Sequence, residues 1–293
     1  MGAYKISDLE KLSGVKAHTI RVWEQRYEIL TPLRTETNIR YYNDKQLRKF
    51  LNVVTLINAG NKISSIGKLS ELDFNTRINK LLNSKNSELK EEIIINQLIS
   101  SGLSYDEVSF EKAFSRAVLS FGLIGTYQKV LYPMLLKIGY LWTMSELTVS
   151  QEHFVTSLVK QKILTAIDSL TLPSKPLYQW VLFLPEGEIH EIGLLIASYA
   201  LRKNGVKVIY LGKDVLKTDL FSAADSNSFT HFLFFVVKQN QGKVVNSYLN
   251  EMSKRYKNAS CVICCSNSYI DKISLDQNQR IISDFDQFLN LIK

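Results

Sequence analysis

IRVWEQRYEILTPLRTETNIRYY, residues 20–42, is the segment from which the architecture of the N-terminal part can be worked out. Its first residues complete an amphipathic helix predicted over 17–26, because Ile20 and Trp23 recur at helical spacing and face inward. Pro32 ends this helical pattern, since proline has no backbone N–H to donate. The residues after it favour a short β-hairpin with a polar tip.

A second short helix precedes this segment. Leu9 and Leu12 lie on one face of it, and Gly14 permits the left-handed backbone of a tight turn before the next helix. After the hairpin, Asn43 caps a further helix predicted over 45–59. Two short helices, a tight turn and a hairpin form the outline of a winged helix-turn-helix, whose second helix enters the major groove of DNA.

The motifs of this segment resemble those of the MerR family of transcriptional regulators. They are T-I-R-x-W-E at 19–24, P-x-R at 32–34 and R-Y-Y at 40–42, and the resemblance covers roughly residues 3–73. It implies that the second helix reads the major groove. It also implies that a wing arginine and an aromatic residue of R-Y-Y hold the DNA backbone.

The resemblance assigns roles to single residues. His18 and Arg21 match the helix positions nearest the bases. Trp23 is expected in the core, and so is Tyr41, because it alternates with Tyr42 across a strand. The residues implied to contact DNA are His18, Thr19, Arg21, Arg26, Arg34, Arg40 and Tyr42.

The charge of the chain supports a polyanionic partner. The 293 residues have a net charge of +8, and residues 1–49 contain ten Lys and Arg against six Asp and Glu. Half of the positive excess therefore lies in the first sixth of the chain, where it favours contact with nucleic acid. The three cysteines (Cys261, Cys264 and Cys265) share one apolar run, which predicts buried strand thiols and a cytoplasmic protein. We expect no signal peptide and no membrane partner.

The pattern of the remaining chain predicts a multidomain protein with an all-α middle part and an α/β C-terminal part. Four helical segments indicate a four-helix bundle, and alternating strands and helices indicate a Rossmann-like, doubly wound parallel sheet. We predict four strands near 180–184, 206–211, 231–237 and 260–265, and a last helix near 280–291. The predicted parts are a DNA-binding domain at 1–75, a helical linker at 76–90, a bundle at 91–172 and the α/β domain at 177–293.

Two strings in the second half of the chain carry chemistry. Trp142 ends one bundle helix, and the pair Glu152 and His153 begins the next. The string Glu188-Ile-His190-Glu-Ile-Gly193 follows the first strand of the α/β domain, where open sheets bind ligands. A histidine there can offer a neutral imidazole to a metal, and a carboxylate two residues earlier can hold the other ring nitrogen.

Together the two strings resemble the cobalamin-binding module of methionine synthase and of light-sensing MerR regulators. The D/E-x-H-x-x-G motif matches Glu188, His190 and Gly193, and W-x9-E-H matches Trp142, Glu152 and His153. The resemblance implies that His190 is the lower axial ligand to cobalt. It also implies that the bundle residues cover the upper face and the adenosyl group of adenosylcobalamin, bound between bundle and α/β domain.

Two segments and one single residue depart from that pattern. The chain has FVVK at 235–238 in place of S-x-L/T, and Ser266-Asn-Ser268 in place of a Gly-Gly pair. In the family these positions line the slot for the nucleotide tail, and bulkier residues would crowd it. Thr143 stands where light-sensing members have a histidine that takes over cobalt.

The resemblance therefore implies a ligand-controlled regulator, a repressor rather than an enzyme, that binds a palindromic operator as a dimer or tetramer. Two alternatives stay open at this point. One is a regulator of the same fold that has lost cobalamin and responds to a protein partner. The other is the corrinoid carrier of a methyltransferase.

Overall fold

The computed structural model divides the chain into two compact units, Met1–Thr156 and Ser157–Lys293. Each unit is described by itself. In the described residues no helix is long and apolar enough to cross a membrane. The residues that the structure describes are 3–143 (backbone alone at 140–143), 148–173, 176, 178–226, 229–238, 240–265 and 273–292.

The first unit begins with the predicted winged helix-turn-helix. Leu9, Ile20, Tyr42, Leu47 and Phe50 are fully buried and form the centre of its core, and burying such side chains stabilises the fold by roughly 1.5–3 kcal/mol each. The elements are α1 (Ile6–Ser13), α2 (Ala17–Tyr27), β1 (Leu33–Arg34), β2 (Arg40–Tyr41), α3 (Asp44–Asn58) and α4 (Ile63–Ile66).

The next helix, α5 (Glu71–Leu82), covers half of the segment predicted as a linker. Ser70 caps it by accepting from the backbone N–H of Asp73. Its buried residues Phe74, Ile78 and Leu82 recur at four-residue spacing, so one face of this helix is packed.

Four helical segments follow, as the sequence predicts. Gly122, with φ of +67°, interrupts the second of them, because glycine tolerates this backbone conformation. They are α6 (Ser87–Leu103), α7 (Glu107–Thr126), a π-helical turn (Tyr127–Leu131) continued by α8 (Tyr132–Thr143), and α9 (Val149–Asp168), which passes from the first unit into the second.

The second unit is a five-stranded sheet, with parallel pairing throughout and neighbours in the order β4-β3-β5-β6-β7. The first strand lies between the second and the third, so the direction of winding reverses beside it. Ligands of such sheets bind at that reversal, outside the carboxyl ends of the strands. The elements are β3 (Gln179–Pro185), α10 (Ile192–Lys203), β4 (Lys207–Val215), α11 (Lys217–Asp225), β5 (His231–Val236), α12 (Gly242–Arg255), β6 (Ser260–Cys265), β7 (Gln279–Ile282) and α13 (Phe285–Leu291).

Helices cover both faces of this sheet. Phe183 and Phe234 belong to the core beneath α11 and α12. Trp180 and Phe235 lie on the opposite face, because side chains alternate along a strand, and they contact Phe288 of α13 and Gly193 of α10. With both faces covered, the strands are near-continuous apolar runs.

The end of the chain corrects one prediction. In place of a single helix near 280–291, Gln279–Ile282 forms a fifth strand, β7, and only Phe285–Leu291 is helical. The strand has four residues and pairs with β6 alone, so its sequence has no long apolar run to reveal it. The three cysteines of β6 are buried, as predicted, and burial raises the pKa of the Cys265 thiol to about 11.

Candidate DNA-binding face and candidate cofactor site

The turn between α1 and α2 is built from local hydrogen bonds. Gly14 has φ of +76°, and its N–H donates to the carbonyl of Glu10 at 2.7 Å. The Glu10 side chain accepts from the backbone N–H of Ala17 at 3.2 Å and pairs with Lys16 at 3.3 Å. One carboxylate therefore caps the second helix and fixes its direction relative to the first.

The outer side of α2 carries the polar residues that the sequence predicts there. His18, Arg21 and Arg26 are exposed, and Thr19 is half-buried. Because helix α2 buries Ile20 against the core, the exposed residues are free to meet a ligand along the opposite side.

The hairpin presents one more exposed cation. Arg34 donates from Nη1 to Oδ1 of Asn38 at 2.6 Å across the hairpin tip. Asn38 has φ of +62°, a left-handed conformation that asparagine tolerates in turns. Arg34 thus holds the shape of the tip while its side chain stays exposed.

Tyr42 does not occupy the outer position predicted for it. It is fully buried, and its hydroxyl donates to Oε1 of Glu24, whereas Tyr41 is half-buried. The two tyrosines alternate as predicted, but the prediction had their faces exchanged. Tyr42 is the inner residue, because it forms a β-bridge with Tyr4 and closes the core. Burial first, and then the bond to Glu24, raise the pKa of Tyr42 well above its usual range.

Sequence reasoning missed Glu24, which joins the hairpin to α2. Its carboxylate is nearly buried, accepts from Tyr42 and lies 3.7 Å from Nε of Arg40. The signal was present: Glu24 follows the inward-facing Ile20 by four residues and so lies on the same face. A carboxylate at such a position needs buried partners, and Arg40 is therefore turned toward α2 as well as toward solvent.

A second buried carboxylate organises the loop after β3. Glu188 is 1% exposed. Its Oε1 accepts from the backbone N–H of Ile189 at 2.9 Å, and from the backbone N–H and Nδ1 of His190 at 3.1 and 2.5 Å. Its Oε2 accepts from the backbone N–H groups of Val237 and Lys238 at 2.8 and 2.7 Å. Glu188 therefore ties the histidine loop to the end of β5.

These bonds decide the charge of Glu188 and the tautomer of its partner. Burial alone would raise the pKa of Glu188, but the bonds from the His190 side chain and from the backbone of Lys238 and Val237 outweigh it and lower the pKa to about 2. An ionised carboxylate only accepts hydrogen bonds, so Nδ1 of His190 carries the proton. In the neutral ring, Nε2 then presents its lone pair on a side chain that is 52% exposed.

Three exposed apolar side chains lie at the same edge of the sheet as this histidine. Ile189 is 60% exposed, Val237 52% and Leu216 45%. They follow β3, β5 and β4, three neighbouring parallel strands whose carboxyl ends lie at one edge of the sheet. Large apolar residues gathered at such an edge are typical of a binding surface rather than of plain solvent contact.

The residue after His190 is held as well. Glu191 accepts from the hydroxyl of Tyr210 on β4 at 3.0 Å and pairs with Lys160 of α9 at 3.4 Å. The loop that carries His190 is therefore anchored on both sides, through Glu188 and through Glu191, which preorganises the imidazole.

Gly193 lies in the first turn of α10, next to the Phe235 ring. A Cβ at position 193 would lie 2.8 Å from Cε1 and 2.9 Å from Cδ1 of Phe235. Only glycine permits this approach, and the aromatic ring fills the space that the missing side chain leaves.

The bundle residues predicted for the upper face are placed in part. Glu152 and His153 lie in the first turn of α9, with Nε2 of His153 3.5 Å from Oε2 of Glu152. The side chains of Trp142 and Thr143, and residues 266–268, lie outside the described residues. Among the described residues no group of three or more His, Cys, Asp and Glu could enclose a metal ion.

Comparison with known families decides what these two sites belong to. Residues 4–72 match the MerR HTH family regulatory proteins, and residues 94–165 match the B12 binding domain. The chain joins a MerR-type DNA-binding domain to a B12-binding domain. The combination confirms the predicted resemblance.

Two similar proteins are known from Myxococcus xanthus. The HTH-type transcriptional repressor CarH is 29% identical over 220 residues, which cover 74% of this chain and 73% of CarH. The repressor CarA is 26% identical over 213 residues, covering 72% of this chain and 68% of CarA.

A solved structure shows a related fold. The monomethylamine corrinoid protein of Methanosarcina barkeri has a TM-score of 0.52 and 14% sequence identity, and covers 68% of this chain and 96% of that chain. At this identity the likeness concerns the fold alone.

Proposed function

We propose that this protein is a transcriptional repressor whose binding to DNA is controlled by a corrinoid, and that His190 is the ligand to its cobalt. The observation that carries the proposal is the pair His190 and Glu188, anchored at the winding reversal of the sheet in a chain that begins with a MerR-type domain. The names of CarH and CarA supply the repressor role.

On the DNA side, we assign direct contact to the polar residues on the outer side of α2 and to Arg34 of the hairpin. Arg21 and His18 face the bases from α2, while Thr19, Arg26 and Arg34 contact the phosphate backbone. Arg40 and Tyr42 act through Glu24, which sets the position of the hairpin against the recognition helix. Base contacts set the sequence, and phosphate contacts set the register.

On the ligand side, the residues present fit the ring and the metal of a corrinoid. A corrinoid brings its own cobalt, which Nε2 of His190 would bind, because Nδ1 is occupied by Glu188. The ionised Glu188 accepts from Nδ1 of His190 and so orients the imidazole. Ile189, Val237 and Leu216 provide apolar contact to a flat macrocycle. When bound, the corrinoid supplies a cobalt centre whose axial ligands can be exchanged.

The finer architecture belongs to the same proposal. We assign residues 1–75 to DNA binding, 91–172 to a four-helix bundle and 177–293 to a Rossmann-like domain, in a homodimer or homotetramer. Trp142, Glu152 and His153 stay predicted contacts of the upper, adenosyl-bearing face. To control DNA binding, the ligand must bind one oligomeric state of the protein more tightly than another, because a ligand with equal affinity for both does not shift the equilibrium between them.

The test is a visible-absorption titration of the full chain with adenosylcobalamin. A parallel titration uses adenosylcobinamide, which has the same ring and upper ligand but no nucleotide. We expect a saturable spectral change with at least one of them, and its loss in His190→Ala. The matched control is His18→Ala, because His18 is an exposed histidine of α2 that is assigned no contact with the corrinoid. No change with either corrinoid would refute the proposal in favour of a regulator of this fold that responds to a protein partner.

A further inference from the structure

The contact of Phe235 with Gly193 determines which corrinoid the site accepts. Phe235 belongs to β5, which is paired on both sides, with β3 and with β6, where Phe235 lies opposite Cys264. Just beyond it, the backbone N–H groups of Val237 and Lys238 are bound to Glu188. The backbone that carries the ring is therefore fixed, and the ring lies against the first turn of α10.

The space beside Gly193 is important because of how a cobalamin would bind to His190. In a free cobalamin, a benzimidazole base occupies the lower axial position of cobalt, and a nucleotide chain tethers it to the rim of the ring. If Nε2 of His190 takes that position, the base has to leave. Its tether keeps it on the lower side of the ring, which is the side of His190 and of the sheet edge.

Gly193 of α10 lies close to His190 along the chain, and because glycine has no side chain it leaves room for an aromatic ring against the helix. Gly193 follows His190 by three residues, less than one helical turn. In this chain that room is already occupied, because the Phe235 ring lies only 2.8 Å from where a Cβ of residue 193 would be. A displaced benzimidazole could enter there only by expelling the phenyl ring.

We propose that Phe235 makes the site selective for corrinoids that lack the nucleotide tail, the cobinamide class. This inference rests on the proposed function and specifies its ligand. A cobalamin binding to this chain loses its own base from cobalt and gains no buried position for it. A cobinamide has no base to displace, so His190 binds its cobalt without that loss.

The experiment compares adenosylcobalamin with adenosylcobinamide on the full chain by equilibrium absorption titration. We expect the unmodified chain to bind adenosylcobinamide about tenfold more tightly or better. In Phe235→Ala the space beneath Gly193 is open, and we expect the preference for cobinamide to fall several-fold, through tighter binding of the cobalamin. Phe229→Ala is the matched control, because Phe229 precedes β5 at the opposite edge of the sheet and its loss leaves the ratio unchanged.

The outcomes separate the inference from the proposal beneath it. Equal affinities in the unmodified chain, or tighter binding of the cobalamin, would overturn the selectivity and leave corrinoid control intact. Binding of neither compound would overturn both. Circular dichroism establishes that Phe235→Ala is folded, and a folded variant with an unchanged ratio would also overturn the role of Phe235. If the variant does not fold, the ratio in the unmodified chain decides alone.

Discussion

Replacing Glu188 with glutamine changes one oxygen of the site and should destabilise the sheet unit considerably. The carboxylate accepts five hydrogen bonds through its two oxygens. Glutamine offers one oxygen and one NH₂ group, so its NH₂ would face either the His190 loop or the backbone N–H groups of Val237 and Lys238. Two donors would then meet in a buried place, which costs free energy on either side.

The magnitude follows from the pKa of Glu188. Its ordinary value of 4.5 falls to about 2 in the folded protein, and at about 1.4 kcal/mol for each pH unit this is about 3 kcal/mol. A lowered folded pKa means that the stabilisation is complete above the unfolded pKa and is lost as the pH falls toward the folded one. About 2 kcal/mol should therefore be lost between pH 7 and pH 3.

Hydrogen exchange in the full chain, followed by mass spectrometry on β5 peptides, measures this locally. At pH 7 we expect exchange about 100-fold faster in Glu188→Gln than in the unmodified chain, and a difference of only a few-fold near pH 3. Glu186→Gln, two residues earlier and exposed, is the control and should match the unmodified chain. Equal protection in Glu188→Gln at pH 7, or a difference that persists undiminished at pH 3, would refute the reasoning.

Four further outcomes are expected. His190→Ala should lower corrinoid affinity by about 100-fold or more without unfolding the sheet, since its side chain is half exposed; an absorption titration measures the affinity and circular dichroism the folding. Arg21→Ala should weaken specific DNA binding by about 1–3 kcal/mol and leave stability unchanged, as anisotropy and urea unfolding will tell. Arg40→Ala should weaken DNA binding and also destabilise the first unit, because Glu24 loses its cation; if the purified variant binds operator DNA as well as the parent does, the wing assignment is wrong. Tyr42→Phe should cost about 1–2 kcal/mol of stability, because the buried Glu24 loses the hydrogen bond from the Tyr42 hydroxyl, and denaturation measures this.

The order and type of most helices and strands could be predicted, because their apolar residues recur at regular spacing over long segments. The recognition helix, the four helical segments and the alternation of strands and helices all follow from spacing alone. Short elements could not be predicted. β7 has four residues with a half-buried pattern, and α5 shows its packed face only through residues spaced four apart in a polar segment.

The candidate site was predicted as a set of residues but not as a set of contacts. The spacing of Glu188 and His190 indicated their pairing, yet the bonds from Glu188 to Val237 and Lys238 depend on sheet order, which spacing does not contain. Which of Tyr41 and Tyr42 faces the core could not be predicted for the same reason, since the buried partner of Tyr42, Glu24, lies on another element. The sequence indicated crowding at FVVK, and the structure adds that Phe235 crowds Gly193.

Control of DNA binding by a corrinoid is tested most directly by one affinity measurement. A duplex is selected from genomic fragments by the full chain at low salt, and its dissociation constant is measured by anisotropy with and without saturating adenosylcobinamide, for the unmodified chain and for His190→Ala. We predict that the corrinoid changes the DNA affinity of the unmodified chain by at least about fivefold and leaves that of His190→Ala unchanged. A chain that binds the corrinoid and yet holds the duplex with the same affinity in both conditions would contradict the account.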